Sequence, residues 1–201
     1  GYLGPYEACV RADGLAPIMH AYDELEGLAR GASRELLTDT LRTEWGFEGI
    51  VTSDYDTLPR LMDYHLAAAD KSEAAKIALE AGLDTELSRV DVYGEPLLNA
   101  LRTGLIEMAV LDESVRRMLT MKFKLGLFDN PTGAVGEVAQ AYHQPAHRAL
   151  AREIARQSLV LLKNDGQTLP LPANLGSIAV IGPNADIRRH MLGDYSYAAV
   201  A

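Results

Sequence analysis

Residues 46–55 read GFEGIVTSDY, a segment in which a short β-branched run ends on a carboxylate. The run from Gly49 to Ser53 has the composition of a strand buried on both faces, as in a parallel sheet. The carboxyl ends of such strands form the face on which β/α barrels build their active sites. The segment therefore predicts a central strand that presents Asp54 at a functional edge.

Amphipathic stretches alternate with short apolar runs around this segment, which is typical of repeated β-α units and a parallel sheet. Predicted helices lie at residues 5–13, 33–45, 58–66, 72–81, 96–103, 112–125 and 147–163, and predicted strands at 16–21, 49–53, 83–87 and 177–181. Residues 129–146 lack a sustained period and indicate a linker. We predict an α/β protein with a first domain at 1–128 and the beginning of a second at 147–201.

The overall composition excludes several classes of function. Of the 201 residues, 48% are apolar and 23% are charged, and the net charge is −9, so we expect no nucleic-acid partner. No apolar run reaches the roughly 18 residues of a membrane span. Cys9 is the single cysteine and the histidines contain no HExxH motif, so we predict no disulfide, no metal site and no cofactor.

Asp54 has two interpretations from the residues alone. A carboxylate at the end of a barrel strand can attack the anomeric carbon of a sugar when a second carboxyl protonates the leaving oxygen. Alternatively, Asp54 is the N-cap of a helix that starts near Asp56, because Ser-Asp is common at such junctions. Both interpretations remain open at this point.

Several further segments, taken in order, resemble glycoside hydrolase family 3. The matching segments are IMHAYDELEG (18–27), SRELLTDTLRTEWGFEGIVTSDY (33–55), ALEAGLDTEL (78–87), LDESVRRML (111–119), KLGLFDNP (124–131), ALAREIARQSLVLLKNDGQTLPLP (149–172) and IAVIGPNAD (178–186). The likeness covers nearly the whole chain. It implies the C-terminal part of a (β/α)8 TIM-type barrel, followed by the start of an α/β sandwich domain.

The resemblance also implies roles for three residues. Asp54 matches the family's catalytic nucleophile. Tyr55 would lie at the edge of the glycone pocket and stack on the leaving-group sugar, or else be a half-buried aromatic at the barrel rim. Tyr22 would donate a hydrogen bond that keeps the nucleophile ionised and oriented, or else pack at a strand end.

The chain departs from the family pattern around these residues. Ala29 stands where a proline is usual, and Asp56 stands where a small residue is common. We expect Asp23, Glu26 and Asp56 to be solvated surface groups. His20, next to the predicted mouth, is interpreted as a structural, hydrogen-bonded histidine.

The function implied by the resemblance is that of a retaining exo-β-glycosidase. Such an enzyme would release terminal β-linked glucose or xylose from oligosaccharides or glycosides through a covalent glycosyl-enzyme on Asp54. Its acid/base residue would be a Glu outside this chain, beyond residue 201. Two alternatives stay open, a family 3 N-acetyl-β-glucosaminidase, whose members often have a single domain, and a non-catalytic carbohydrate-binding remnant.

Both ends of the chain look like cuts through a longer protein, since it begins on Gly1 and ends without a helix cap or polar tail. We therefore expect the isolated chain to have little activity. The oligomeric state and the compartment, whether cytoplasmic, periplasmic or secreted, stay undetermined. A phospho-acceptor domain with Asp54 at a strand end is not favoured, because no acidic pair or late lysine is placed to support it.

Overall fold

The structure is a computed structural model that describes residues 3–12, 14–133, 135–142 and 144–192. The chain divides into two units, residues 1–134 and residues 135–201. The division falls inside the segment 129–146 that the sequence predicts as a linker. Each unit is considered by itself below.

The first unit has an α/β fold built on a three-stranded parallel sheet. The strands of the unit as a whole are β1 (Pro17–Met19), β2 (Glu24–Leu25), β3 (Leu28–Ala29), β4 (Ile50–Tyr55) and β5 (Thr85–Leu87). The parallel sheet has the order β1-β4-β5, and β2 pairs with β3 in a separate antiparallel hairpin. Because β4 lies between two parallel neighbours, its carboxyl end is at the centre of one sheet edge.

Helices connect and cover these strands. They are α1 (Gly4–Arg11), a 3-10 turn (Arg30–Ala32), a π-helix (Glu35–Glu44), α2 (Thr57–Asp63), α3 (Lys71–Ala81), α4 (Glu95–Arg102) and α5 (Met108–Lys124). The predicted helix 5–13 corresponds to α1, although residue 13 lies outside the described residues. The predicted helix 58–66 ends three residues early, and Leu66, with a φ of 53°, is exposed beyond it.

Capping residues set where two of the helices begin. The hydroxyl of Ser33 accepts the N–H of Leu36 at 3.2 Å, and the next residue, Arg34, is in the N-cap position of the π-helix. The carboxylate of Asp70 accepts the N–H of Glu73, and the Glu73 side chain accepts the N–H of Ala69. These contacts satisfy amide groups that a helix leaves without partners in its first turn.

The core lies between the sheet and its helices. Fully or nearly fully buried apolar side chains include Leu37, Leu41, Phe47, Val51, Leu58, Leu61, Ala74, Ala75, Ala78, Leu79, Leu83, Val92, Leu97 and Ala100. The inward face of α3 consists largely of alanines, so that this helix can approach its neighbours closely. Burial on this scale, at roughly 25 cal/mol per Å² of apolar surface, is the main term that holds β4 in place.

The start of α5 differs from the prediction. The helix begins at Met108, with Glu107 in the N-cap position, and not at Asp112. Val110 and Leu111 precede Asp112 and pack against the core. This packing stabilises an additional helical turn, and tertiary contacts outweigh the capping preference of one Asp.

The second unit contains a 3-10 turn (Val135–Glu137), α6 (Val138–Ala141), α7 (Pro145–Gln157) and a second 3-10 turn (Arg188–Met191). The predicted helix 147–163 therefore ends six residues early, and Leu162 beyond it is 92% exposed. The predicted strand 177–181 is wrong, since this segment is irregular and Ile181 is 89% exposed. Among the described residues of this unit there is no strand that could pair with residues 177–181. A strand without a neighbour has no ladder of hydrogen bonds. Residues 193–201 of the predicted second domain lie outside the described residues.

None of the helices in the described ranges has the length and apolarity needed to cross a bilayer.

Gly49 provides a test of how tightly β4 packs. A Cβ atom at this position would lie 2.0 Å from the Ala16 carbonyl oxygen and 2.5 Å from Cζ of Phe47. Because the nearest atom belongs to the backbone, we expect Gly49→Ala to destabilise the full-length protein by about 3 kcal/mol. Gly133, with nothing within 4 Å of its added Cβ, is the matched control. A thermal unfolding midpoint for Gly49→Ala equal to that of Gly133→Ala would contradict the packing described here.

Candidate active site

Asp54 lies at the carboxyl edge of the sheet. It is the fifth of the six residues of β4, and its side chain is half-buried. One carboxylate oxygen accepts the N–H of Tyr55 at 2.7 Å, and its main-chain carbonyl accepts the hydroxyl of Thr57 at 2.8 Å. The chain then turns through Asp56, which has a left-handed φ of 55°. The strand end and this turn together hold the carboxylate at the edge.

The capping interpretation of Asp54 is wrong. Helix α2 begins at Thr57, its N-cap residue is Asp56, and the Asp56 side chain makes no capping hydrogen bond. The Asp54 carboxylate bonds instead to the amide of the next residue, which precedes the helix. Stabilising a helix end therefore does not account for a carboxylate here.

Two tyrosines share this edge with Asp54. Tyr55 is the last residue of β4, is 48% exposed, and aligns with Leu87 of the neighbouring strand. Tyr22 follows β1, the other neighbour of β4, and the guanidinium carbon of Arg60 lies 4.7 Å from its ring centroid. The structure thus brings all three sequence-predicted site residues to one edge of the sheet. The hydrogen bond from Tyr22 to Asp54 and the stacking role of Tyr55 remain predictions.

His20 directly follows β1 and lies two residues before Tyr22. Its imidazole is buried, with 5% of the residue exposed, and Nδ1 lies 2.9 Å from the carbonyl oxygen of Ala21. Burial lowers the pKa of His20, while the hydrogen bond to Ala21 and the carboxylates of Asp54 and Asp23 act in the opposite direction. The burial and the hydrogen bond of His20 agree with the prediction. A neutral imidazole at neutral pH follows from the lowered pKa.

The acidic residues near the edge are solvated, as predicted. Both carboxylate oxygens of Asp23 lie 2.8 Å from guanidinium nitrogens of Arg30. Asp56 lies 3.4 Å from Arg89, with half of its side chain exposed. Glu26 is exposed in the turn of the β2–β3 hairpin, with a φ of 54°. Among the described residues, no group of three or more His, Cys, Asp or Glu side chains is arranged to hold a metal ion.

Asp84 is a buried carboxylate that the sequence patterns did not identify, and it binds the main chain of β4. The Asp84 side chain is fully buried and receives Arg42 at 2.7 Å and Arg117 at 2.7 Å. It also accepts the N–H of Val51 on β4 at 2.8 Å. A carboxylate that is buried among apolar side chains, as Asp84 is in the segment ALEAGLDTEL, needs charged or hydrogen-bonding partners. This need for partners is the signal in the sequence that could have pointed to Asp84.

Glu86 fixes the loop that follows β5. Its carboxylate accepts the main-chain N–H groups of Asp91, Val92 and Tyr93 at 2.8–3.0 Å. The same loop carries Arg89, the partner of Asp56. Burial raises the pKa of Tyr93 well above its usual value, and its hydroxyl donates to the carbonyl of Leu83 at 2.8 Å. The rim beside Tyr55 is therefore supported by buried polar contacts.

The Asp84 carboxylate and its partners Arg42, Arg117 and Val51 form a clamp. We expect that removing the charge of Asp84 greatly lowers the free energy of unfolding. Asp84→Asn leaves Arg42 without its counter-charge and Arg117 with only the exposed Glu113, and breaking such a buried pair costs about 3–5 kcal/mol. The matched control is Glu113→Gln, which removes an exposed partner of Arg117 and should cost less than about 1 kcal/mol. The readout is the urea midpoint of the full-length variants. Equal midpoints for the two substitutions would show that the clamp does not stabilise the fold.

A parallel α/β unit with a carboxylate at its strand ends is an arrangement that β/α enzymes use for catalysis. Two family profiles match the chain: the glycosyl hydrolase family 3 N terminal domain over residues 1–121, and the glycosyl hydrolase family 3 C-terminal domain over residues 159–201. The chain belongs to glycosyl hydrolase family 3, as its motifs predicted.

The individual similarities agree with this assignment. The chain is 40% identical to a periplasmic beta-glucosidase of Salmonella typhimurium, over 100% of this chain and 26% of that protein. It is 35% identical to a beta-xylosidase of Formosa agariphila, over 96% of this chain and 28% of that protein. A crystal structure of a beta-glucosidase from Listeria innocua in complex with glucose has a TM-score of 0.72 and 32% identity, over 84% of this chain and 23% of that one. The chain thus spans about a quarter of the length of the curated relatives it matches.

Proposed function

We propose that this chain is part of a retaining exo-β-glycosidase in which Asp54 is the catalytic nucleophile. The observation that carries the proposal is the half-buried Asp54 carboxylate at the carboxyl end of the central parallel strand. Its hydrogen bond is to a neighbouring amide and its position is not that of a helix cap. Membership in family 3 supports glycoside hydrolysis as the reaction.

The architectural part of the proposal is that β1, β4 and β5 belong to an eight-stranded (β/α)8 barrel. Three adjacent parallel strands joined by helices support this, because a barrel repeats this unit. We propose residues 1–128 as the C-terminal portion of that barrel, 129–146 as the linker and 147–201 as the start of an α/β sandwich domain. The match of residues 159–201 to the family's C-terminal domain supports the last of these.

In the first chemical step, one oxygen of the Asp54 carboxylate attacks C1 of the terminal sugar. The bond between C1 and the glycosidic oxygen breaks, and its electron pair goes to that oxygen, which takes a proton from a carboxylic acid outside this chain. The product is a glycosyl ester of Asp54 with inverted configuration at C1. A hydrogen bond from Tyr22 would hold the attacking carboxylate ionised and in line.

In the second step, the same outside residue, now a carboxylate, removes a proton from water. The water oxygen bonds to C1, the ester bond breaks, and the electron pair returns to Asp54. The second inversion restores the β configuration, so the mechanism is retaining. Retaining geometry requires the two carboxyl groups to lie about 5–5.5 Å apart.

The proposed substrate is a small oligosaccharide or glycoside with a terminal β-linked glucose or xylose. The beta-glucosidase and beta-xylosidase names of the relatives support this class. A family 3 N-acetyl-β-glucosaminidase is less favoured, because the similarity extends into a second domain. Tyr55 at the rim would stack on the leaving-group sugar through its exposed ring face.

The proposal predicts that Asp54→Asn abolishes turnover by the full-length protein. An amide cannot form the glycosyl ester, so kcat for a 4-nitrophenyl β-glycoside should fall by at least about 10³-fold. The change preserves size and should leave the unfolding midpoint close to that of the parent. The rate of 4-nitrophenol release measures the loss.

The control for this experiment is Asp56→Asn, two residues further along the chain. It removes the same charge from an exposed side chain paired with Arg89, and we expect kcat within about threefold of the parent. Loss of activity in both variants would indicate a general electrostatic effect. Full activity of Asp54→Asn would reject Asp54 as the nucleophile, whereas a full-length parent without glycosidase activity would favour the non-catalytic alternative.

A further inference from the structure

The main chain of His20 binds β4, and its side chain binds the loop that carries Tyr22. Its main-chain N–H donates to the carbonyl oxygen of Thr52 at 3.2 Å, two residues before Asp54 on β4. Its ring Nδ1 lies 2.9 Å from the carbonyl oxygen of Ala21. A carbonyl can only accept, so Nδ1 carries the proton and donates it. The imidazole thereby orients the peptide group that joins Ala21 to Tyr22.

The other edge of the imidazole is closed by backbone. A Cβ atom added to Gly31 would lie 3.0 Å from Cε1 and 3.2 Å from Nε2 of His20. Gly31 belongs to the 3-10 turn Arg30–Ala32, and Arg30 of that turn also binds Asp23. The ring is thus held between the turn and the loop, with little room to rotate.

Two hydrogen bonds therefore join His20 to elements next to Asp54. One bond joins it to β4, the strand that carries Asp54, and the other joins it to the loop that carries Tyr22. The bond to β4 is a main-chain bond that does not depend on the side chain, so the contribution of the imidazole is its bond to the Ala21 carbonyl.

We propose that His20 is a positioning residue: its Nδ1–H holds the Ala21–Tyr22 peptide so that the Tyr22 hydroxyl meets the Asp54 carboxylate. The inference rests on the proposed function, in which Tyr22 and Asp54 act together. His20 does not touch substrate, so it acts on the chemical step through Tyr22. A purely structural histidine would instead support stability without affecting kcat.

The test substitutes His20 in the full-length protein with side chains that differ in where they place a donor. Asparagine places its amide near the position of Nδ1, whereas glutamine places its amide one bond further out and leucine offers no donor. For a 4-nitrophenyl β-glycoside, kcat should fall between about 10- and 100-fold in His20→Gln and His20→Leu, because small misplacements in an active site have effects of this size. His20→Asn should stay within about threefold of the parent, and KM should change little in all three.

A double-mutant cycle distinguishes positioning from general damage. If His20 acts through Tyr22, then His20→Gln should lower kcat by less than about twofold once Tyr22→Phe has removed the phenol. Independent, multiplying losses would overturn the inference, and so would unchanged kcat in His20→Gln. If the glutamine and leucine variants fail to fold, His20→Asn decides, since a tenfold or greater loss of its kcat would also overturn it.

Thr38→Val is the matched control for losing a side-chain bond to a carbonyl. The Thr38 hydroxyl donates to Ala81 at 2.7 Å, at the end of α3 and before β5, on the amino side of the sheet. This variant should lower the melting temperature and leave kcat unchanged. Different results would reject the proposed function itself: a parent that does not hydrolyse β-glycosides, or an Asp54→Asn variant that retains activity.

Discussion

The first unit depends on one buried carboxylate. Asp84 immediately precedes β5 and binds Arg42 of the π-helix, Arg117 of α5 and the main chain of Val51 on β4. Residues from four segments, between positions 42 and 117, therefore meet at a single charge. Because the side chain is fully buried, the carboxylate is stable only with these partners in place. Satisfying this charge therefore requires the native arrangement of the helices around the sheet.

This constraint bears on the site through β4. The bond from Val51 to Asp84 lies three residues before Asp54 and fixes the strand relative to β5. Glu86 then fixes the loop after β5 with three main-chain amides. The carboxylates of Asp54 on β4, Glu86 on β5 and Asp84 just before β5 thus differ by environment: Asp84 and Glu86 accept several donors inside the protein, and Asp54 lies at the edge. A carboxylate that must bond to a sugar has to be the accessible one.

Local patterns predicted most of the first unit, and their failures have physical reasons. The central strand, the alanine-rich helix α3 and the edge position of Asp54 followed from composition, period and turn residues. The beginning of α5 did not, because core packing of Val110 and Leu111 outweighed the capping preference of Asp112. The predicted strand 177–181 has no paired neighbour among the described residues. The partners of Asp84 stand 42 and 33 residues away, a separation at which no local pattern can link them.

The proposed mechanism requires the Asp54 carboxylate to bond covalently to a sugar. A 2-deoxy-2-fluoro β-glycoside with a good leaving group slows the hydrolysis of the glycosyl-enzyme, so the intermediate accumulates on the full-length protein. Peptide mapping by mass spectrometry then locates the sugar. We expect one label per chain, on Asp54. A label on another carboxylate, or no label on a protein that hydrolyses β-glycosides, would contradict this mechanism.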